Sequence, residues 1–181
     1  MKQPPPGLVL RDVIEADLSA ITEIYDYHVA CGTASFELVP PDENEMTRRW
    51  RETTSRGFPF IVAELDRKVL GYAYAGQYRP RIGYRFTVED SVYIHHEHTG
   101  RGLGGALLKE LIARCEAAGF RQMIAAIGDS TNVASVRLHE EFGFAMVGTL
   151  RAVCWKFDRW IDSILMQKEL ADGDRSAPGR P

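Results

Sequence analysis

Residues 91–108 read SVYIHHEHTGRGLGGALL, and this stretch says most about the fold and the ligand. An apolar, strand-like run ends at Ile94, and a short polar turn follows it. Four glycines then fall within the six positions from Gly100 to Gly105, and an amphipathic, helix-like run covers residues 103–118. A glycine-rich turn between a strand and a helix exposes backbone N–H groups, and the helix N-terminus adds partial positive charge. The sequence therefore predicts that a phosphorylated ligand binds at this turn.

The composition of the 181-residue chain is that of a globular protein. Hydrophobic residues make up 45% and charged residues 26%, unlike the composition of disordered chains. A net charge of −3 argues against nucleic-acid binding, which favours basic faces. No apolar stretch approaches the ~20 residues that span a bilayer, and the three widely separated cysteines fit reduced thiols. We therefore expect a cytoplasmic protein with no nucleic-acid partner and no membrane partner.

The pattern along the rest of the chain predicts one domain. A strand hairpin over residues 58–65 and 69–75 precedes alternating strands and helices, which favours a mixed sheet flanked by helices. Further strands are predicted at residues 86–94, 122–127, 144–149 and 163–170. Helices are predicted to begin near Asp17, which is expected to cap the first of them, and near Asp42 and Asn132. We expect a flexible N-terminus over residues 1–7, a domain over residues 8–170 and a disordered tail over residues 171–181.

Three interpretations of the glycine turn follow from its residues. Gly100, Gly102 and Gly105 satisfy the G-x-G-x-x-G pattern of dinucleotide-binding oxidoreductases, although five residues separate Gly100 from the strand and the turn begins mid-chain. A turn that only reverses the chain needs fewer glycines, since each costs roughly 0.5–1 kcal/mol in regular structure. The third interpretation is a coenzyme A site, whose pattern Gln/Arg-x-x-Gly-x-Gly/Ala falls on residues 99–104.

Several separated motifs favour the third interpretation. They are TVEDSVYI at residues 87–94, SVRLHE at 135–140, GF at 143–144, GTLR at 148–151 and KFDRWID at 156–162. Together with the glycine turn, they resemble GNAT acetyltransferases of the phosphinothricin and methionine-sulfoximine branch over about residues 8–170. The resemblance implies an α/β fold with a mixed, mostly antiparallel sheet of about six to seven strands flanked by helices. It also implies acetyl transfer from acetyl-CoA to the α-amine of a small amino-acid-like acceptor, and herbicide resistance.

Acetyl transfer requires a base, because an α-amino group with a pKa of about 8 is mostly protonated at neutral pH. The resemblance implies that Glu89 is this base. The residues alone are equally consistent with a base and with a surface carboxylate at a strand edge. The resemblance also implies that His139 assists proton transfer, and a packed helix histidine is the alternative. No cysteine falls in a matched motif, so we expect direct attack without an acetyl-cysteine intermediate.

The resemblance also implies which residues bind acetyl-CoA. Backbone groups of the central strand pair with the pantetheine arm, the glycine turn holds the pyrophosphate, and Asn132 contacts the arm, although a helix N-cap also accounts for Asn132. The full set is Val92, Tyr93, Ile94, Gly100, Arg101, Gly102, Leu103, Gly104, Gly105, Asn132 and Ser135. Two positions depart from the family pattern. Thr99 stands in place of Gln or Arg, and Leu108 stands where some members carry a tyrosine that protonates the leaving thiolate.

The resemblance implies that residues of three separate segments bind the acceptor. They are Phe36, Arg79, Arg81, Tyr84, Lys156 and Phe157. Arginine binds oxyanions through paired donors, while a solvated basic loop is the alternative for the arginines. The resemblance further implies a homodimer in which the partner subunit contributes to the acceptor pocket, and the natural acceptor is left open.

Two further questions concern metal and catalysis. His95, His96, Glu97 and His98 follow the central strand, but closed metal sites need distant ligands that no motif supplies, so we expect no metal. A non-catalytic acyl-CoA-binding regulator is the alternative function, and the presence of Glu89 argues against it.

Overall fold

The computed structural model describes residues 2–179, which form seven strands and four α-helices. The elements are β1 Val9–Asp12, α1 Leu18–Cys31, α2 Glu43–Ser55, β2 Phe60–Leu65, β3 Lys68–Gln77, β4 Thr87–Ile94, α3 Leu103–Ala117, β5 Gln122–Gly128, α4 Val133–Glu141, β6 Ala145–Lys156 and β7 Arg159–Glu169. Met1 of the predicted flexible N-terminus, and Arg180 and Pro181 of the predicted tail, lie outside the described residues. The domain boundaries themselves stay predictions.

The strands form one sheet in the order β1-β2-β3-β4-β5-β7-β6. Neighbouring strands are antiparallel except for β4 and β5, which are parallel. The prediction of an α/β fold with a mixed, mostly antiparallel sheet is therefore confirmed. The parallel pair is short, because residues 87–90 of β4 pair with residues 122–125 of β5 and both strands continue beyond that register. A gap therefore opens between the ends of β4 and β5.

Helices cover both faces of the sheet and create two hydrophobic cores. Adjacent residues of β2 divide between these cores, since Ile61 packs in the α3 core whereas Val62 packs in the α1 core. This division follows from the period of two along a strand. Leu108 of α3 is fully buried in the first core. The longest described helix, α3, has 15 residues, and no described helix is long and apolar enough to cross a membrane.

Two local predictions need correction. Asp17 precedes α1, but its carboxylate accepts bonds from the Arg11 guanidinium at 2.6 and 2.8 Å instead of capping the helix. Residues 150–162 belong to a long β6–β7 hairpin, although the sequence predicts that the two strands end at residue 149 and begin at residue 163. Exposed residues follow one another along β6 without alternation, so the period-two signal is absent there.

Candidate active site

The glycine turn connects β4 to α3 through two residues with left-handed backbone. Gly100 has a φ of +70° and Gly102 a φ of +83°, a region that favours glycine. A Cβ atom on Gly102 would also lie 2.8 Å from the backbone carbonyl oxygens of Lys2 and Gln3. A side chain at Gly102 is therefore excluded both by the local conformation and by the N-terminal segment that packs against the turn.

A cavity of about 500 Å³ leads from this turn into the gap between β4 and β5. The cavity brings together nine of the eleven predicted coenzyme residues: Val92, Tyr93, Ile94, Gly100, Gly102, Gly104, Gly105, Asn132 and Ser135. The other two lie elsewhere. Arg101 is exposed on the turn outside the cavity lining, and the Leu103 side chain is 1% exposed in the core. Leu103 therefore offers a ligand only its backbone N–H.

The backbone of β4 presents alternate residues to the gap. The His95 amide donates to a β3 carbonyl at 2.9 Å, and the antiparallel register continues regularly back along β4. Residues of an antiparallel strand alternately face the partner strand and the opposite side. The amide and carbonyl of Tyr93 therefore face β3, and those of Val92 and Ile94 face the gap. This corrects the expectation that the Tyr93 backbone serves a ligand.

A buried histidine–carboxylate pair lies on the cavity wall. Nδ1 of His139 donates to the Ser135 carbonyl at 2.7 Å, and its Nε2 is 3.0 Å from Oδ2 of Asp90. Burial alone would lower the pKa of His139, but the Asp90 carboxylate and the Ser135 carbonyl outweigh it and raise the pKa. Oδ1 of Asp90 is buried without a hydrogen-bond partner. His139 and Asp90 therefore hold a proton between them beside the cavity.

Glu89 lies on the other face of β4 from Asp90, as strand alternation requires. Burial raises the pKa of the half-buried Glu89 carboxyl, the charge of Asp90 adds to this rise, and Arg79 opposes it. Glu89 does not line the coenzyme cavity. Burial also raises the pKa of Tyr74, and the charges of Glu89 and Glu37 add to this rise. A half-buried carboxyl with a raised pKa is suited to accept a proton.

Three predicted acceptor residues come together where the early loop, residues 33–37, meets the β6–β7 hairpin. Nζ of Lys156 is buried and donates to the Ser35 carbonyl at 2.8 Å, and burial lowers the Lys156 pKa. The ring of Phe157 lies 5.0 Å from that nitrogen, and the ring of Phe36 packs against Gly128 at the end of β5. Lys156 therefore fastens the early loop rather than offering a free cation.

The basic loop before β4 is exposed and holds the other three predicted acceptor residues. The Arg79 guanidinium lies 5.1 Å from the centre of the Tyr78 ring, and Tyr84 meets that ring edge-on at 5.5 Å. The charge of Arg79 also acts to lower the pKa of Glu89. Arg81 is exposed at the start of the 3-10 turn that contains Tyr84. The roles of all these residues stay predictions.

Sequence reasoning missed two residues that contribute to the cavity. Asp90 is adjacent to Glu89 in the central-strand motif, and its opposite orientation was the available signal. His28 donates through Nε2 to the Ile94 carbonyl at 2.8 Å, a contact across 66 residues for which no local pattern exists. Separately, His95, Glu97 and His98 present ligand atoms within 4.8 Å of one another. The expectation that the protein uses no metal stays a prediction.

The model of the acetyltransferase (GNAT) family matches residues 21–144 of this chain. The chain belongs to the GNAT family. The predicted N-acetyltransferase is therefore confirmed, and the dinucleotide-binding oxidoreductase is excluded. Phosphinothricin N-acetyltransferase of Alcaligenes faecalis is 54% identical over 169 residues, which cover 93% of this chain and 86% of that protein.

Two further relatives place this GNAT chain in the predicted branch. The L-methionine sulfoximine/L-methionine sulfone acetyltransferase of Pseudomonas aeruginosa is 43% identical over 93% of this chain and 98% of its own length. A crystal structure of a GNAT superfamily phosphinothricin acetyltransferase from Sinorhizobium meliloti, in complex with AcCoA, superimposes with a TM-score of 0.93. It is 45% identical and covers 96% of this chain and 94% of its own. The similarity to this branch is thus confirmed at the level of sequence and fold.

Proposed function

We propose that the protein transfers the acetyl group of acetyl-CoA to the α-amine of a small amino-acid-like acceptor, such as phosphinothricin or methionine sulfoximine. One observation carries the proposal. The glycine turn opens into a gap lined by backbone groups of β4 that face away from β3, and the half-buried carboxyl of Glu89 lies on the same strand. The names of the A. faecalis and P. aeruginosa relatives and the AcCoA bound to the S. meliloti relative support the proposal.

The coenzyme is held mainly by the backbone in this proposal. The amides of the glycine turn and the N-terminus of α3 bind the pyrophosphate. The pantetheine arm adds to the sheet in the gap, where the amides and carbonyls of Val92 and Ile94 are directed. A β4 amide donates to the thioester carbonyl and stabilises the oxyanion that forms on attack. Asn132, whose side chain accepts from the Ser135 amide as an N-cap, also lines the arm's path.

The chemical step is a direct transfer between two bound substrates. Glu89 removes a proton from the acceptor ammonium, directly or through a water molecule. The amine nitrogen attacks the thioester carbon and forms the C–N bond, and the C–S bond breaks with release of the coenzyme thiolate. The nitrogen then gives up its second proton, which balances the proton that the thiolate takes up, so that a neutral amide and a thiol are the products. The raised pKa of Glu89 brings it closer to the pKa of the amine and thus favours this proton transfer.

The leaving thiolate needs a proton, and Leu108 cannot provide it. We propose that His139 assists this step, because it lines the cavity, has a raised pKa and shares a proton with Asp90. The acceptor carboxylate or phosphinate pairs with Arg79, with Arg81 and Tyr84 on the same loop. Phe36 and Phe157 form the opposite wall, and Lys156 holds the early loop in place.

The remaining expectations join the proposal. A homodimer is supported by exposed apolar side chains on β6 and the β6–β7 hairpin, namely Met146, Val147, Leu150, Val153, Trp155, Phe157 and Trp160. The proposed reaction needs no metal, because backbone amides polarise the carbonyl, and treatment with a chelator should leave the rate unchanged. Cytoplasmic localisation and herbicide resistance are further parts of the proposal, as is the absence of nucleic-acid and membrane partners.

The experiment is an assay of thiol release from acetyl-CoA with a panel of amines. We expect rapid release with phosphinothricin, methionine sulfoximine or a related amino acid, and slow release with amines that lack an adjacent acidic group. Mass spectrometry of the acceptor should show one added acetyl group. If acetyl-CoA binds but no amine releases its thiol, the protein is an acyl-CoA-binding regulator and the proposal fails.

A further inference from the structure

The glycine turn carries little positive charge of its own. Thr99 is neutral at the position where the resembling family has Gln or Arg, and its hydroxyl donates to the His96 carbonyl at 3.4 Å. Arg101 is the single cation within residues 99–105, and it is exposed and not among the residues that line the cavity. Coenzyme A brings a pyrophosphate and a further phosphate to this turn, so an additional cation would strengthen binding.

The N-terminal segment lies against this turn. The carbonyl oxygens of Lys2 and Gln3 are 2.8 Å from the place that a Cβ on Gly102 would take. Nζ of Lys2 is 3.7 Å from the corresponding position on Gly100, and Lys2 lines the same cavity as Thr99. Three consecutive prolines at residues 4–6 follow and restrict the backbone of this segment. The prolines therefore limit the movement of the backbone that follows Lys2, and the ammonium group lies at the mouth of the turn.

The other charged residues that line the cavity lie on α4 and β4 rather than beside the turn. Arg137 and Glu141 both lie on α4 and have opposite charges, and Asp90 is bound by His139. Among the described residues that line the cavity, Lys2 is therefore the one whose cationic group is placed beside a glycine of the turn.

We propose that Lys2 is a coenzyme-binding residue, whose ammonium group pairs with a phosphate of acetyl-CoA and supplies the charge that Thr99 lacks. This inference rests on the proposed function. The segment predicted as a flexible N-terminus then has a binding role. Because an exposed ion pair is screened by water and salt, its effect is moderate.

The test compares the variants Lys2→Ala and Lys2→Arg, with Lys109→Ala as a matched control. Lys109 is an exposed lysine on α3, so its loss changes the net charge equally. Calorimetry at low ionic strength should show that Lys2→Ala raises the Kd of acetyl-CoA about three- to tenfold. Lys2→Arg and Lys109→Ala should bind as the wild type does, and the difference should shrink at high salt. Lys2 is exposed, so equal melting temperatures are expected.

Two further measurements identify the interaction as one with phosphate. S-acetylpantetheine lacks the phosphates, so wild type and Lys2→Ala should use it with the same kcat/KM. Acetyl-dephospho-CoA separates the pyrophosphate from the 3′-phosphate, since the effect of Lys2→Ala disappears with it if the 3′-phosphate is the partner. Adding Thr99→Arg to Lys2→Ala should restore the wild-type Kd, because it returns a cation to the turn.

Three results would overturn the inference. They are an unchanged Kd for Lys2→Ala, an equal loss with S-acetylpantetheine, and tighter binding by Lys2→Ala, which would mean that the segment obstructs the turn. If the wild type itself does not bind acetyl-CoA, the proposed function fails together with the inference. If the wild type binds and acetylates normally while Lys2→Ala is unaffected, this inference alone is wrong.

Discussion

The two faces of β4 differ in how their sites are built. The coenzyme side consists of backbone amides, glycines and a fixed gap between two strands, with the buried His139–Asp90 pair on its wall. The proposed acceptor side has long side chains on an exposed loop, such as Arg79 and Arg81, and the half-buried carboxyl of Glu89. A site made of backbone suits a constant co-substrate, whereas a site made of loop side chains allows the acceptor to vary. Substitutions on one face should therefore leave the other function intact.

The largest effect is expected for Glu89→Gln. Loss of a general base lowers the rate by about 10²- to 10⁴-fold, so kcat/KM for the acceptor should fall by about 100-fold or more at neutral pH. The acid limb of the wild-type pH profile should lie above the ordinary range of a glutamate, because burial raises the pKa of Glu89. The Kd of acetyl-CoA should not change. Glu23→Gln, at an exposed position of α1, is the control. An unaltered rate in Glu89→Gln would show that Glu89 is not the base.

The next effect is on the coenzyme face. Gly102→Ala places a Cβ where φ is +83° and carbonyl oxygens are 2.8 Å away, so the turn must shift. We expect acetyl-CoA to bind about tenfold or more weakly, with a loss of about 1–3 kcal/mol in unfolding free energy. Gly148→Ala is the control, since a Cβ there meets nothing within 4 Å. Equal acetyl-CoA affinities in the two variants would show that the turn does not bind the coenzyme.

A smaller effect is expected on the acceptor face. Arg79→Ala removes the guanidinium that is proposed to pair with the acidic group of the acceptor, and the KM of the acceptor should rise about tenfold as one charged hydrogen bond is lost. The KM of acetyl-CoA should stay within about twofold, and Arg51→Ala on exposed α2 serves as the control. A similar rise in both KM values would contradict the separation of the two faces.

The carboxyl of Glu89 should also affect stability. Its pKa in the folded protein is raised, so folding favours its protonated form, and the wild type loses stability as the pH rises from the ordinary glutamate pKa through the raised one. Above that window, the unfolding free energy of Glu89→Gln should exceed that of the wild type by about 1.4 kcal/mol for each pKa unit of the shift, and the variant should melt at a higher temperature. At lower pH, the two proteins should melt alike. A lower melting temperature of the variant at pH 8 would contradict the burial of an ionised Glu89.

The smallest effect is expected for removal of the cysteines. Cys31, Cys115 and Cys154 are free thiols, and burial raises the pKa of Cys115 to about 12, so it is not a thiolate near neutral pH. A folded variant with Cys31→Ser, Cys115→Ala and Cys154→Ser should keep its kcat within about twofold, since the attack is direct. Loss of activity in that folded variant would indicate an acetyl-cysteine intermediate.

The sequence predicted the coenzyme face better than the acceptor face for a physical reason. The glycine turn needs left-handed backbone at Gly100 and Gly102, and the glycines that permit this conformation can be seen in the local sequence. Contacts such as Lys156 with Ser35 join residues 121 positions apart, and no periodicity or spacing indicates such a pair. The hairpin of β6 and β7 was underestimated because its exposed residues do not alternate. The prediction that the Tyr93 backbone binds the coenzyme was wrong because backbone groups alternate along a strand, and those of Tyr93 face β3.

The most direct test of the two-face account is a crystal structure of the protein with acetyl-CoA and an unreactive acceptor analogue. In this crystal structure we expect the pantetheine arm to bond to the Val92 and Ile94 backbone, the pyrophosphate to lie on the glycine turn, and the acceptor nitrogen to be closer to Glu89 than to Asp90. A complex with the acceptor nitrogen beside Asp90 and His139, or with the coenzyme outside the gap between β4 and β5, would contradict it.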